Sequence, residues 1–203
     1  ITCPKCGKKD FTEVRKFNLM FQTQMAKVGE HSSAYLRPET AQAMFLEFKN
    51  IVDSMRVKLP FGMAQIGKAF RNEITPGNFI FRRLEFEQME IEYFIKEENW
   101  KEIFDMWHKA MKAWTALIGL EAKKCHDYEH PQEKLSHYSK RTIDIEYDFP
   151  FGRKELYGLA YRTNFDLSQH EAHSGKQLRI HDEDSGEKVL PHVIEPTFGL
   201  DRT

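Results

Sequence analysis

Cysteines are scarce in this sequence, long apolar runs are missing, and neither sign of charge is in excess. The three cysteines in 203 residues, Cys3, Cys6 and Cys125, are too few for a disulfide framework and fit a reducing compartment. No apolar stretch approaches the roughly 20 residues of a membrane span, and no signal-like segment opens these residues. The expectation is a cytoplasmic protein with no membrane partner. Lysine and arginine number 30 against 31 aspartates and glutamates, a formal net charge of -1. That balance excludes a whole-surface polyelectrolyte attraction to nucleic acid, so any such contact must be local. Internal repeats, low-complexity runs and the strand-helix rhythm of a doubly wound sheet are also lacking.

What is present is enough for a real core: 40% hydrophobic residues and 16 phenylalanines, in a chain of a length that folds as one domain, with or without an appendage. Residues 39–55 follow Pro38 and bring Met44, Phe48, Ile51, Val52 and Met55 near one face at helical spacing. Residues 98–118 repeat the pattern with Trp100, Ile103, Phe104, Trp107, Met111, Trp114 and Ile118, and Gly119 supplies the stop. The tryptophans in this stripe read as packing rather than as a ligand box. Residues 141–148 and 154–162 alternate like strands around a turn containing Pro-Phe-Gly. Together these tracts predict an α+β fold, an antiparallel β-sheet flanked by helices. Mobile segments are expected at 27–33, 74–78 and 181–187.

The stretch 70–94, FRNEITPGNFIFRRLEFEQMEIEYF, is the least ordinary: three arginines and five glutamates lie on runs that otherwise look like core. Alternation puts Ala69, Arg71 and Glu73 on one face of the first run, and Arg82, Leu84, Phe86, Gln88, Glu90 and Glu92 on one face of the second. Met89, Ile91 and Tyr93 point the other way, so the expectation is that they pack against helices while the charged face stays presented. Such a face suits a polyanion carrying an aromatic base: arginines for phosphates, Phe86 as a stacking plate, carboxylates for amino groups. The bland alternative is a solvated face of compensating ion pairs.

Phe-Arg-x-Glu, a variable loop, then Arg-x-x-x-Phe-x-x-x-Glu resembles motif 2 of class II aminoacyl-tRNA synthetases, and GLDRT at 199–203 resembles their motif 3. Within that class, AYLRPETAQ (34–42), residues 59–94, KELYGLA (154–160) and EPTFGLDR (195–202) are similar to glycyl-tRNA synthetases of the dimeric type. The resemblance covers most of the chain, with residues 34–203 as the class II core (motif 2 at about 69–94, motif 3 at about 195–203) and 1–33 as a leading segment holding a Cys-x-x-Cys and a mobile loop. It implies that motif 1 and an anticodon-binding domain lie outside these residues, that they alone are inactive or nearly so, and that the intact protein is a homodimer.

The implied reaction joins glycine and ATP into glycyl-adenylate and then transfers the glycyl group to the 3′ end of tRNA(Gly), with Mg2+ accompanying ATP. By resemblance the catalytic residues are Arg71, bridging the α-phosphate and the glycine carboxylate, and Arg202. Phe86 stacks on the adenine with Arg202 on its other face, Glu73 accepts from the adenine amino group, and Arg82 holds the outer phosphates. Asn72, Phe81, Arg83, Leu84, Glu85, Glu155, Leu156, Gly199, Leu200 and Asp201 complete the implied ATP set, Glu155 on the magnesium side. Glycine offers an ammonium and no side chain, so its selection rests on ammonium acceptors and on exclusion of anything larger. Those acceptors map to Glu39, Glu90, Glu195 and Thr197, where the family more often has serine, with Phe86, Glu87, Gln88, Met89, Pro196, Phe198 and Gly199 around them.

Other clusters carry less. Cys3 and Cys6 supply two of the four ligands of a structural zinc site, so Zn2+ requires a second cysteine pair upstream. HEAH at 170–173 lacks the spacing of a zinc hydrolase and reads as a loop histidine pair. Cys125 and His126 read as an ordinary surface turn. Two alternative functions stay open: a synthetase-like accessory or nucleic-acid-binding protein that has lost catalysis, and a class II-related ligase that works without tRNA.

Overall fold

In the computed structural model, residues 2–10, 13, 15–27, 30–183 and 185–203 are described. The chain runs through β1 (Gln22–Lys27), β2 (Glu30–Tyr35), α1 (Ala41–Met55), β3 (Phe61–Phe70), β4 (Glu85–Ile95), α2 (Trp100–Leu117), β5 (Cys125–Glu129), β6 (Arg141–Phe149), β7 (Gly152–Thr163), α3 (Phe165–Ser174), β8 (Ile180–His181), β9 (Lys188–Val189) and β10 (His192–Gly199). Six strands form one sheet in the order β3-β4-β10-β7-β6-β5, and every neighbouring pair is antiparallel. β1 pairs with β2, and β8 with β9, as separate small ribbons. This is the expected α+β architecture. No helix of the described residues is long and apolar enough to cross a membrane.

Both helical stripes form, with corrections at their ends. α1 buries Ala41, Met44, Phe45 and Phe48, and the cluster it packs into stops at Val52, which leaves Met55 in the last turn 66% exposed. α2 buries Phe104 and Met111; Trp107 meets Tyr93 edge-on at 5.3 Å and Trp100 stacks on Tyr161 at 4.5 Å. Trp114, expected in the stripe, is 36% exposed, and Thr115 takes the buried position beside it. Gly119 ends the helix at φ +84°, the left-handed region that glycine enters without strain.

The sheet has two covered faces, and this overturns the expected assignment of inside and outside. Met89, Ile91 and Tyr93 do pack toward α2, but only half-buried. The charged face is the deeper one: Gln88 is 5%, Glu90 1% and Glu92 0% exposed. Phe45 and Phe48 of α1 and Leu167 of α3 cluster with Phe94 and Val193 on that side, so the charged row of β4 runs under a helical roof. Period-2 alternation separates two faces, but it does not rank them when helices cover both.

The runs at the tip of this hairpin are shorter than expected. β3 ends at Phe70 and β4 begins at Glu85, so Arg71, Glu73 and Arg82 sit on the connecting loop, with Arg71 N–H bonded to Leu84 O at 2.9 Å as a final rung. The 74–78 segment is part of that loop, pinned by a bridge between Gly77 and Arg82. Val28 and Gly29, and Asp184, lie outside the described residues. The described rest of 27–33 belongs to the β1–β2 ribbon, whereas in 181–187 only His181 is in a strand and Asp182, Gly186 and Glu187 form a hydrogen-bonded turn between β8 and β9. HEAH lies on α3 rather than in a loop, where His170 Nδ1 contacts Asp166 O at 2.8 Å. Cys125 and His126 open strand β5, where His126 pairs with Asp148 at 2.8 Å and burial pushes the Cys125 thiol up.

Phe94 is the packing centre under α1: it is 0% exposed, with ring centroids of Phe48 and Phe61 at 4.7 and 5.0 Å. Phe94→Ala should lower stability by about 3–5 kcal/mol, read as a fall in the urea midpoint. Leu46→Ala, on the outer face of α1 at 69% exposure, should stay within about 0.5 kcal/mol.

Candidate active site

Alternate residues of β4 step from solvent into the core along one face: Phe86, Gln88, Glu90, Glu92, Phe94. At the solvent end, the β3–β4 loop, β7 and the residues Gly199, Asp201 and Arg202 line an open cleft. Of the implied ATP set, Arg71, Glu73, Phe81, Arg82, Arg83, Phe86, Glu155, Leu156, Gly199, Asp201 and Arg202 line it. Four do not. Asn72 is bonded through Nδ2 to Asn18 O at 2.8 Å, Glu85 pairs with Lys68, Leu84 is 39% exposed outside the lining, and Leu200 lies in the closing helical turn.

The loop is held over the cleft by an aromatic anchor. Phe81, 8% exposed, meets Phe149 and Phe151 edge-on at 5.1 Å each, which docks the loop on the β6–β7 turn. Arg202 lies over the Phe81 ring at 4.5 Å, donates Nη1 to Glu155 O at 3.2 Å and sits 3.6 Å from the Glu155 carboxylate. Gly199 leaves room for it: a Cβ there would meet Arg202 Cδ at 3.1 Å. Arg202 therefore lies against Phe81 rather than opposite Phe86, where the resemblance puts it. Arg71 instead lies over Phe86 at 5.2 Å and donates Nε to Pro38 O at 3.1 Å. Arg82 donates Nη1 to both carboxylate oxygens of Glu73, at 3.1 and 3.2 Å. Asp201 accepts from Glu87 N at 2.9 Å and faces Arg83 at 3.8 Å, which ties the end of β10 to the start of β4.

Behind Gln88 and Thr197, the last lining residues on this side, lies a closed pit of charge. Glu90 accepts three hydrogen bonds: from Thr40 Oγ1 at 2.6 Å, Gln88 Nε2 at 3.1 Å and Thr197 Oγ1 at 3.2 Å. Glu195, 6% exposed, receives Arg162 Nη1 at 2.9 and 3.0 Å. Arg162 in turn forks onto Asp166 at 2.8 and 2.9 Å and carries the Tyr138 ring on its face at 4.0 Å. Burial works against the Arg162 charge, but Glu195, Asp166 and Glu92 outweigh it and hold the guanidinium above its ordinary range. Burial pushes the carboxyls of Glu92 and Glu195 well above theirs; the Arg162 bonds oppose this at Glu195, and Glu92 has no such bond.

Of the implied glycine set, Phe86, Glu87, Gln88, Thr197 and Gly199 line the cleft, with Glu90 and Glu195 in the pit beneath. Glu39 is half-buried just before α1 and accepts from Gln42 Nε2 at 3.1 Å. Met89 and Phe198 belong to the core under α2, and Pro196 alternates with Glu195 and Thr197 onto the same side as Phe198. Arg162, Asp166, Tyr138 and Thr40 have no counterpart in the sequence reading. An arginine inside the apolar run LYGLAYR, followed four residues later by an aspartate, was the available signal for the first two. Cys3 and Cys6 form a turn, with Gly7 N–H bonded to Cys3 O at 2.9 Å and the Cys3 thiol drawn down by the backbone amides of Cys6 and Lys5. Among the described residues no third ligand joins them.

Removing one partner from a buried ion-pair network leaves the others charged without compensation. Arg162→Met should cost about 3–5 kcal/mol in urea unfolding. Arg82→Met, which breaks the exposed pair with Glu73, should cost no more than about 1 kcal/mol.

Known proteins resemble this chain in sequence. The family model described as "tRNA synthetase class II core domain (G, H, P, S and T)" matches residues 11–203. The chain is 55% identical over 204 residues to a glycine–tRNA ligase of Ureaplasma urealyticum, covering all of this chain and 43% of that protein. It is 52% identical over 203 residues to a glycine–tRNA ligase of Geobacillus thermodenitrificans and 54% to one of Clostridium tetani, in each case across 44% of the relative. The chain thus spans less than half the length of these curated relatives. With its antiparallel sheet and arginine-lined cleft, it belongs to the class II tRNA synthetase core domain family.

Proposed function

We propose that residues 1–203 are part of the catalytic region of a glycine–tRNA ligase, with 34–203 as its class II core and 1–33 leading into it, acting in the cytoplasm as a homodimer. The observation that carries the reading is the graded face of β4. An aromatic plate and four arginines, Arg71, Arg82, Arg83 and Arg202, line an open cleft, and directly behind it stand buried carboxylates of fixed orientation. The first half suits a nucleoside triphosphate; the second suits a small ammonium. The names of the relatives support the same substrates.

In the first step a glycine carboxylate oxygen attacks the α-phosphorus of ATP, and the bond to the departing pyrophosphate breaks. No protein nucleophile is required; the demand is to hold two anions together and to stabilise charge on the phosphorus oxygens. Arg71 supplies a planar guanidinium between carboxylate and α-phosphate. To stack between Phe86 and Arg202, the adenine displaces Arg71 from the ring and draws Arg202 away from Phe81. Glu73 leaves Arg82 to accept from the adenine amino group, which frees Arg82 for the outer phosphates. An exposed pair of this kind is worth about 1 kcal/mol at most, so the rearrangement is small beside the binding of a triphosphate. Mg2+ arrives with ATP, and Glu155, 51% exposed at the cleft edge, offers the hard oxygen donors it prefers. In the second step the 3′-terminal hydroxyl of tRNA(Gly) takes the glycyl group and AMP leaves.

Pyrophosphate exchange into ATP by the intact protein should require glycine, and Arg71→Ala should slow it about a hundredfold or more. Exchange without glycine contradicts the reading, as does an Arg71→Ala rate within a few-fold of wild type. Glu90→Gln keeps shape and removes charge, so the KM for glycine should rise by the equivalent of about 1.5–3 kcal/mol while the KM for ATP changes little. Glu73→Gln should weaken ATP more than glycine. Equal effects of both variants on both substrates mean that the row is a structural ion-pair network.

A further inference from the structure

Glu92 has no part in the reading above, and its surroundings are unusual for a carboxylate. It follows Glu90 by two residues on the same face of β4, is 0% exposed, and neither of its oxygens has a hydrogen-bond partner among the described residues. Glu90, Glu92 and Glu195 each place a carboxylate oxygen within 4.8 Å of the others. The charged groups acting on Glu92 are Glu195 from β10, Arg162 from β7, Glu90 from its own strand and Asp166 from α3. Among the described residues, the donors seen to bond within this cluster are directed elsewhere. Arg162 is divided between Asp166 and Glu195, while Thr40, Gln88 and Thr197 all donate to Glu90.

An ionised carboxylate here would lose its hydration and gain no donor, next to two other carboxylates. A protonated carboxyl needs only an acceptor, and the carboxylates of Glu90 and Glu195 lie within 4.8 Å. Resting on the reading of Glu90 and Glu195 as ammonium acceptors, we propose that Glu92 is a neutral carboxylic acid that directs its O–H toward one of those two carboxylates and serves as a positioning residue for glycine. It holds the charged pair in orientation and adds no third negative charge to the pit. Burial and the Glu195 charge both favour the protonated form, and only Arg162 opposes it.

The test uses the intact protein with two substitutions, Glu92→Gln, which mimics the neutral donor, and Glu92→Met, which keeps length without one. Glycine-dependent exchange should give Glu92→Gln a glycine KM within about threefold of wild type, and Glu92→Met a rise of about tenfold with the KM for ATP unmoved. A residue with only a packing role would lower stability without that split. A second arm needs no substrate. A group protonated when folded and ionised when unfolded loses stability as pH rises, so the melting temperature of Glu92→Gln should gain on wild type from pH 6 to pH 9. The proposal is overturned if Glu92→Gln raises the glycine KM about tenfold. It is also overturned if the melting difference stays flat with pH, or if Mg2+ or Ca2+ alone stabilises wild type but not Glu92→Gln, since a cation site requires all three carboxylates ionised. Should Glu92→Met fail to fold, Glu92→Gln still decides. Loss of glycine dependence in wild type would sink the ligase reading, while the melting arm would still report on the proton.

Discussion

Arg162, at 2% exposure, has carboxylates on both edges of its guanidinium and an aromatic ring on its face. Asp166 of α3 and Glu195 of β10 take the edges at 2.8 to 3.0 Å, and Tyr138 covers the face at 4.0 Å. Through this one side chain β7, β10 and α3 are held in register around a charge that has no access to water. Such a network is not a source of stability relative to apolar packing, because desolvation offsets most of the Coulombic gain. Its effect is orientation: with Arg162 in place, Glu195 has one geometry, and the pit beneath the cleft has a defined shape and charge before any ligand arrives.

β4 carries the consequence of that constraint along its length. Residues two apart on a strand stand about 6.6–6.8 Å apart, so Phe86, Gln88, Glu90, Glu92 and Phe94 read out distance as well as chemistry: plate, linker, anion, buried acid, core. The two paired strands β3 and β10 keep that row straight, and α1 contributes Thr40 at its start as a donor to Glu90. A site built on paired strands, with Glu90 oriented by neutral donors and Glu195 by the Arg162 guanidinium, is rigid in the sense that discrimination by size requires. The more exposed parts are those the proposed reading assigns to the nucleotide. There, exposed or half-exposed arginines rest on Phe81, Phe86 and Glu73 in arrangements that weak forces hold and a triphosphate can replace.

The sequence made some of this legible and left the rest hidden for identifiable reasons. Both long helices and the β6–β7 hairpin follow from apolar spacing, from Pro38 and Gly119, and from the turn after Phe149. The cleft residues were reachable because the resemblance to a known family rests on short local motifs that contain them. The depth of the charged face was not: alternation places Glu90 and Glu92 together, but the roof over them comes from α1 and α3, distant in sequence. Arg162 was hidden for the same reason, since an arginine in a strand reads as an edge or surface residue until its partners on α3 and β10 are known. The HEAH histidines read as loop residues because the apolar stripe of α3 is short, with only Asp166 and Leu167 buried.

The central claim is that β4 divides the substrate between plate and pit, and it is tested most directly by a crystal structure of the intact protein with a non-hydrolysable glycyl-adenylate analogue. The account predicts the adenine on Phe86 with Arg202 on its far side, Arg71 on the phosphate oxygens, and the ammonium within hydrogen-bond distance of Glu90 and Glu195. An ammonium left at the cleft mouth, with Glu90 still held only by Thr40, Gln88 and Thr197, would contradict it.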